Sequence, residues 1–472
     1  MKSIIKHTNF SKGLLLLVFV LALQSCFVAQ DYARPEIKTE IQALYRTENL
    51  PTDSISIAEV SWKTLFTDQY LQEYIEEGLK NNMDVRIALQ QIVAAMAYAK
   101  QGKAGYMPTL SVGGNYTRQE FSENSQFGSI FSGGLDTYDI TANLSWEADI
   151  WGKIRSNKRA TQAAYLQSVA GHQVVKTQLV SSIANTYYNL LALDAQLEIT
   201  KQTILTRQSG VETIKALKDA GQVTQVAVDQ NIAQFNNAKA LQVDIEVAIF
   251  KTENALSILL GKSPQHFDRS RLDIQNINQD IVLGVPVALL SNRPDVMAAE
   301  YGLINSFELT NVAKSNFYPS LTLTASGGLQ SLQLDNLFNT NSLFANLVGG
   351  LTQPLFNQRK IKTQKEVALA QQEQALLQFK KTLLVAGNEV SNALFSYKSE
   401  TKKFEFRKNE VEALRTAETN SDELLKNGYA NYLDLLTARE SVLNAELNII
   451  DSQLQQLISI VDLYEALGGG WR

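Results

Sequence analysis

Side chains able to make or break bonds are scarce in this chain. It has one thiol, Cys26, and three imidazoles, His7, His172 and His266, scattered through 472 residues. Zinc and related sites gather Cys and His ligands at short spacings; none occurs here, so no metal is expected. A lone cysteine also excludes a disulfide within the chain. No catalytic constellation is visible, so the sequence calls for neither an enzyme nor a cofactor. The net charge is −5 with no basic block, which argues against nucleic acid as a partner. The one group with readable chemistry is the Cys26 thiol, because of what precedes it.

Lys2, Lys6 and Lys12 give a basic start, and Gly13 to Leu23 is an apolar run of 11 residues. A spanning helix needs about 20 residues, whereas this run suits the core of a secretory signal peptide. It ends in Leu23-Gln24-Ser25-Cys26, which resembles a bacterial lipobox, with Gln24 an unusual residue at its position. The motif implies removal of residues 1–25 and attachment of acyl chains such as palmitate to Cys26. A multiply acylated chain sits firmly on a membrane. The alternative is an ordinary secretory signal followed by an unused thiol.

The elements downstream are organised by a duplication. Asp84 lies 24 residues before Pro108, and Asp295 lies 24 before Pro319. Tyr106-Met107-Pro108-Thr109-Leu110 is matched by Phe317-Tyr318-Pro319-Ser320-Leu321. The offset is 211 at the prolines but 207 at Asn185/Asn392, Gly221/Gly428 and Gly261/Gly468, so the second copy loses a net four residues before Asn392. Solenoid repeats are only about 20–50 residues long, so this is a duplicated domain-sized unit. The expected divisions are the signal peptide at 1–25, a lipidated strap at 26–62, a first repeat at 63–270 and a second at 285–472. Each repeat reads as a helix, a β-hairpin (109–147 and 320–354, by the pattern) and a long helical hairpin. A link around Lys262–Pro286 joins them.

After each proline the pattern turns to strict alternation. Leu110, Val112 and Tyr116 alternate with Ser111, Gly113 and Asn115, and the return strand sets Tyr138, Ile140, Leu144 and Trp146 against Asp139, Thr141 and Ser145. Leu321, Leu323, Ala325 and Leu329 repeat the pattern. Strands of about ten residues with one apolar and one polar face mark a membrane β-barrel with a wet interior; a soluble sandwich edge is the alternative. Four strands cannot close a barrel, since the smallest have about 8. Open edges in lipid cost several kcal/mol per unpaired group. The hairpins are therefore expected to be pooled between chains, and three copies would supply twelve strands. Trp146, Trp151, Phe317, Tyr318 and Phe356 sit where strands meet helices, as interfacial belts do. The connections Arg118–Thr137 and Ser331–Ser342 would be external loops.

No proline interrupts 155–209 or 360–427, and the first of these would make about 80 Å of continuous helix. Each such stretch ends at a glycine turn, Gly221 or Gly428, before a second helix returns. On the last helix Leu436, Leu443, Leu447, Ile450, Leu454, Leu457, Val461 and Tyr464 trace a coiled-coil seam.

Further blocks give the pattern a family likeness: Asp31-Tyr32-Ala33-Arg34-Pro35, Trp146-Glu147-Ala148-Asp149-Ile150-Trp151-Gly152-Lys153-Ile154-Arg155, Thr352-Gln353-Pro354-Leu355-Phe356-Asn357, and Gly428-Tyr429-Ala430-Asn431-Tyr432-Leu433-Asp434-Leu435-Leu436. With the lipobox, they make the chain resemble the TolC-like outer-membrane factor family, in its lipidated branch serving tripartite efflux. The resemblance covers essentially the whole mature chain. It implies a membrane β-barrel plus long α-helical barrel, with a homotrimer forming a 12-stranded barrel in outer-membrane lipid and a 12-helix periplasmic tube. It also implies docking to a periplasmic adaptor (a membrane fusion protein) and an inner-membrane RND-type transporter. In the family, acidic residues narrow the tube at its periplasmic tip. Here Asp434 matches one such position, Thr437 stands where a second aspartate is frequent, and Glu440 stands where some lipidated members are basic. Leu433 matches an apolar constriction residue. The expected function is passive outer-membrane export of small molecules. The rivals are the same duct serving an ABC-driven type I protein secretion system, and a non-channel periplasmic coiled-coil lipoprotein.

Overall fold

The computed structural model describes residues 28–35, 61–128, 134–275 and 293–471. The signal segment, Cys26, most of the strap and the later part of the inter-repeat link lie outside them. The chain falls into two compact units, each drawing on both repeats: 1–35, 93–167 and 299–379 in one, 36–92, 168–298 and 380–472 in the other.

Helices α1 (Trp62–Leu65), α2 (Gln69–Asn81) and α3 (Met83–Ala104) lead into strands β1 (Thr109–Gln119) and β2 (Leu135–Ala148), then α4 (Lys153–Asp219) and α5 (Gln225–Leu259). The second pass gives α6 (Pro294–Ser315), β3 (Ser320–Ser331), β4 (Leu343–Thr352), α7 (Lys360–Lys426) and α8 (Tyr432–Ala466). The long helices match in length between passes: α4 and α7 have 67 residues each, α5 and α8 have 35 each. A 67-residue helix runs about 100 Å. The α4 helix carries through Gly210, past the proline-free stretch to Ser209, and stops at Gly221.

What stops these helices is the same device each time. At Gly221 (φ +74°) the Gly221 amide bonds to the Lys218 carbonyl and the Gln222 amide to the Leu217 carbonyl, both at 2.9 Å. Gly428, Gly261 and Gly468 close α7, α5 and α8 with the same pair of bonds and positive φ. This left-handed cap satisfies the last carbonyls of a helix and favours glycine. At Gly261 the lack of a side chain is also a steric requirement, because a Cβ would lie 2.7 Å from the Asn81 carbonyl.

The second unit holds the main core. Phe66 packs edge-on against Tyr188 and Tyr464, and Tyr74 against Phe267, with Leu71, Ile75, Ile183, Leu190 and Val461 fully buried among them. Two charged hubs fix the chain around this core. Asp68 caps α2 through the Leu71 amide and accepts bonds from Tyr187, Ser270 and Gln275. Arg269 grips Asp194 with two nitrogens and Glu253 with a third at 2.6 Å, tying the segment after α5 onto α4 and α5. Glu253 also meets His266 Nδ1 at 2.7 Å. On α8 the buried seam includes Leu443, Ile450, Leu454, Leu457, Val461 and Tyr464 as expected, but Leu436 is only half-buried and Leu435 lies inside instead. Burial extends to a second row, Ala445, Ser452, Ser459 and Ala466, spaced by seven. A helix packed on two sides buries more than one narrow seam.

Near the end of α8, burial raises the Glu465 carboxyl above the usual range; Asp462 and Glu389 add to the rise and Arg293 opposes it. Glu465 also sits in the last turn of its helix, where the dipole disfavours an anion. Because its native pKa is raised, its contribution to stability is full at low pH and is lost as pH rises through the raised value. Glu465→Gln is expected to raise the urea midpoint of helix melting at pH 8, with the gain vanishing toward pH 4. A gain that grows on acidification would contradict this reading.

Candidate functional site: a two-faced sheet and the hairpin turns

The four strands form one antiparallel sheet in the order β1-β2-β3-β4. Its registers align the alternation of each strand with that of the next. Leu110 lies opposite Leu144, Leu144 opposite Ala325, and Ala325 opposite Leu347. Val112, Ala142, Gly327 and Ala345 form the next such row. One face is thus apolar from edge to edge, and the other carries Ser111, Asn143, Ser326 and Asn346 in a polar row. On that polar face the Asn115 amide and the Thr141 hydroxyl both donate to Asp139 at 3.1 Å. The strands have 10 to 14 residues, enough to cross a bilayer when tilted. Leu110, Val112, Leu343, Leu347 and Leu351 are each more than two-thirds exposed, as lipid-facing residues are when viewed without lipid. Among the described residues, nothing pairs the outer edges of β1 and β4.

Aromatic side chains hold the strand ends. Trp151 stacks on Tyr318 at 4.9 Å and donates its indole N–H to the Pro319 carbonyl at 2.7 Å. The Trp146 indole donates to the Tyr106 carbonyl at 3.0 Å. Asp149 caps α4, accepting from the amides of Ile154 and Arg155 at 2.8 and 2.9 Å. Phe356 is fully exposed.

Residues 28–35 are bound in place along these elements. Asn311 of α6 donates to the Gln30 carbonyl at 2.9 Å, Tyr32 meets Phe307 edge-on, and Arg34 pairs with Glu300 at 3.0 Å. Arg159 of α4 pairs with Asp31 at 2.7 Å and faces the buried Glu308 at 3.6 Å. Ala29 is buried so close to Gly152 that a Cβ there would come within 2.9 Å.

The second candidate region is the pair of helical-hairpin turns. Asn431 caps α8, and Asp434 completes a capping box: the Asp434 amide donates to Asn431 Oδ1 at 3.1 Å, and the Asn431 amide donates to Asp434 Oδ2 at 3.3 Å. Leu433 is 54% exposed. Thr437 sits one turn later on the same face, its hydroxyl donating to the Leu433 carbonyl at 2.9 Å. Glu440 follows at the next turn and accepts from Gln234 of α5 at 3.4 Å. Leu433, Thr437 and Glu440 therefore share one exposed stripe, while Asp434 is engaged in holding the helix start.

Beside them lies a network with no local signal in the sequence. Tyr432 donates to Asn231 of α5, and the Arg207 guanidinium of α4 donates to the Gln234 carbonyl. Arg439 lies between Glu418 and Asp422 of α7, at 3.5 and 3.4 Å, and Arg415 pairs with Glu446. Burial lowers the Arg207 pKa, against the opposing pull of Glu440 and Tyr432, and burial raises that of Tyr432. The Tyr432–Asn231 and Gln234–Glu440 bonds join the first helical hairpin to the second, while Arg207 ties α4 to α5 and Arg439 and Arg415 tie α7 to α8. A nucleophile with an adjacent base is not among them; the arrangement is a fastening.

A sheet with one lipid-facing and one wet face, carried on long proline-free helical hairpins, defines the class of outer-membrane export ducts. The chain belongs to the outer membrane efflux protein family, whose model matches it twice, at residues 74–262 and 285–469. It is 28% identical to a probable efflux pump outer membrane protein of Pseudomonas putida, TtgC, over 98% of this chain and 96% of the relative. It is 26% identical to the cation efflux system protein CusC of Escherichia coli, over 96% and 97%. Among solved structures, VceC of Vibrio cholerae superposes with a TM-score of 0.80 at 26% identity, covering 87% of this chain and 99% of that one. The OprN channel, at 22% identity, shares the fold with a TM-score of 0.85. The protein is an outer-membrane efflux channel subunit.

Loss of the capping box has a local consequence. Asn431→Ala is expected to cost about 1 kcal/mol at the start of α8. The faster exchange should be confined to amides of the first helical turn in hydrogen-exchange mass spectrometry. Unchanged exchange there would show that the cap carries no load.

Proposed function

We propose that three copies of this chain assemble into a passive, lipid-anchored duct that receives small molecules from an inner-membrane pump and releases them outside the cell. The observation that carries the reading is the four-stranded sheet with two uncovered edges and one continuous apolar face. Its backbone groups can be satisfied in lipid only if further copies supply strands. Acylation of Cys26 is supported by the fastening of residues 28–35, beginning with Ala29 against Gly152, four residues from the last residue of β2. The strap would hold the acylated end beside the strand ends, at the level of the bilayer surface. The chain catalyses nothing in this reading, and energy enters through its partners: a periplasmic adaptor and an RND-type transporter.

The hairpin turns form the gate. Leu433 supplies an apolar constriction and Glu440 a charge on the same stripe, with Thr437 between them. Opening requires the turns to part, a movement of rigid helices resisted by the Tyr432–Asn231 and Gln234–Glu440 bonds. Asp434 serves the gate by fixing the start of α8 as well as by its charge.

Leu433→Ala and Tyr432→Phe, which removes the bond to Asn231, are expected to admit large antibiotics, such as vancomycin, that intact cells exclude. Unchanged susceptibility with normal surface levels would remove the gate from this end. Cross-linked recovery of the tagged protein from intact cells should bring down a periplasmic adaptor and a large proton-driven transporter. Recovery of an ABC exporter would instead place the duct in protein secretion.

A further inference from the structure

The charges of the chain are unevenly placed. The two hairpin segments, 109–148 and 320–352, hold six of its 48 acidic residues and one of its 43 basic ones. They carry a net charge of −5, equal to that of the whole chain, and the remainder balances. Four of the six acids, Glu120, Glu123, Asp136 and Asp335, lie at or beyond the loop ends of the strands. There the one cation, Arg118, faces Glu120 and Asp136 at 3.3 and 3.7 Å.

The other two acids, Asp139 and Glu147, sit on the polar face of β2, in phase with Thr141, Asn143 and Ser145. Glu147, at the helix-bearing end, is held by the Lys153 ammonium at 2.9 and 3.1 Å. Asp139 is the fifth residue of β2, close to the loop end, and no cation pairs with it among the described residues. The Asn115 amide and the Thr141 hydroxyl both donate to its Oδ1, and its Oδ2 accepts no bond from them. Asp139 lies opposite Asn115 on one side and Gln330 on the other, so its row is neutral apart from it. The polar face of the four strands carries no lysine or arginine. Besides the two acids it presents hydroxyls, amides and glycines, with Leu135, Phe344 and Val348.

We propose that Asp139 makes the outer mouth of the duct prefer cations, so that positively charged solutes leave through it more readily than anions. The proposal rests on the reading that copies of the chain close one water-filled barrel with the polar face inward. A charge on the wall of an aqueous cleft with low-dielectric sides is felt strongly within it, because the field lines are confined to the water. Each copy adds one Asp139 at the same height, and rings of acidic side chains are a common basis of cation selection in pores. The bonds from Asn115 and Thr141 orient the carboxylate and leave its second oxygen for a passing cation. Beyond it the loop ends add charge of the same net sign. A lone carboxylate reads charge rather than shape, so the class favoured is small cations in general, organic ammonium ions included.

Charged thiol reagents, applied to cells carrying the full-length protein, test this preference. Gln330→Cys sets a thiol opposite Asp139, about 4.5–5.5 Å away across the strands. Asn143→Cys sets one on the same face four residues along β2, about 13 Å away. Each is reacted with a trimethylammonium-bearing and a sulfonate-bearing methanethiosulfonate, and the ratio of the two rates is read above the background of Cys26 alone. At Gln330→Cys, Asp139→Asn should lower the cation-to-anion ratio about threefold, and Asp139→Lys should lower it further. Glu147→Gln, whose charge is already matched by Lys153, should leave that ratio unchanged. At Asn143→Cys the effect of Asp139→Asn should be clearly smaller. An unchanged ratio at Gln330→Cys, or an equal fall at both thiols, overturns the role of Asp139 while the duct stands. Val112→Cys, on the opposite face, tests the reading beneath the proposal, since lipid should shield it from both reagents. Reaction there, with none at Gln330→Cys or Asn143→Cys, would refute the duct itself. No reaction at any of the three would show a mouth closed to ions and overturn the proposal alone.

Discussion

Along one side of β1 and one side of β4 run backbone N–H and C=O groups that no described residue of the same chain meets. In water such an edge is tolerable; in hydrocarbon each bare group costs several kcal/mol. A handful of them would exceed the whole net stability of an ordinary domain, about 5–15 kcal/mol. This requirement explains why the chain can afford apolar residues on a face that nothing within it covers. Leu110, Val112, Leu347 and Leu351 would be a liability on a soluble sheet. Here they are the solvent-matching surface of an assembly that one copy cannot complete.

Much of this is written in the sequence because the signals are local and periodic. Alternation at Leu110–Tyr116 and Tyr138–Trp146 has the period of a pleat, and the glycines at 221, 261, 428 and 468 mark the helix ends through their left-handed φ. What escaped was what depends on contacts between distant segments. Tyr432 and Asn231 are 201 residues apart and their bond leaves no spacing to read. The same is true of Arg159, whose partners Asp31 and Glu308 come from segments 277 residues apart. Asp434 was legible as a charge near a turn, but its part in a capping box needed Asn431 to be recognised as the cap. The α8 seam was legible as a heptad, yet the burial of Leu435 in place of Leu436 depends on how neighbouring helices wrap around it.

The buried charges deserve a separate reading from the apolar core. Arg269 between Asp194 and Glu253, and Arg293 between Asp295 and Glu389 at 2.7 and 2.6 Å, are unlikely choices if stability were the only aim, since desolvation cancels much of an ion pair's attraction. Their geometry is specific where an apolar contact is permissive. Arg293 also donates to the Ala466 carbonyl at 2.7 Å, so one side chain fixes the start of α6, the end of α8 and a point on α7. Such residues determine where long helices sit along one another, which a greasy seam of similar leucines leaves less defined.

The fastening at the hairpin turns is one-sided. By the offset of 207, the counterparts of Tyr432, Arg439 and Glu440 are Gln225, Ile232 and Ala233, and those of Glu418 and Asp422 are Val211 and Lys215. The first hairpin therefore lacks the side chains to repeat the bonds that the second one makes. Although the two halves of the chain fold alike, a ring built from it is not sixfold in chemistry. Of its six hairpins, three clasp α8 to α7 through Arg439 and three hold α4 to α5 by other bonds, such as that of Arg207 to the Gln234 carbonyl. Strain on such a ring would meet hairpins of two different stiffnesses in alternation, a threefold and not a sixfold pattern.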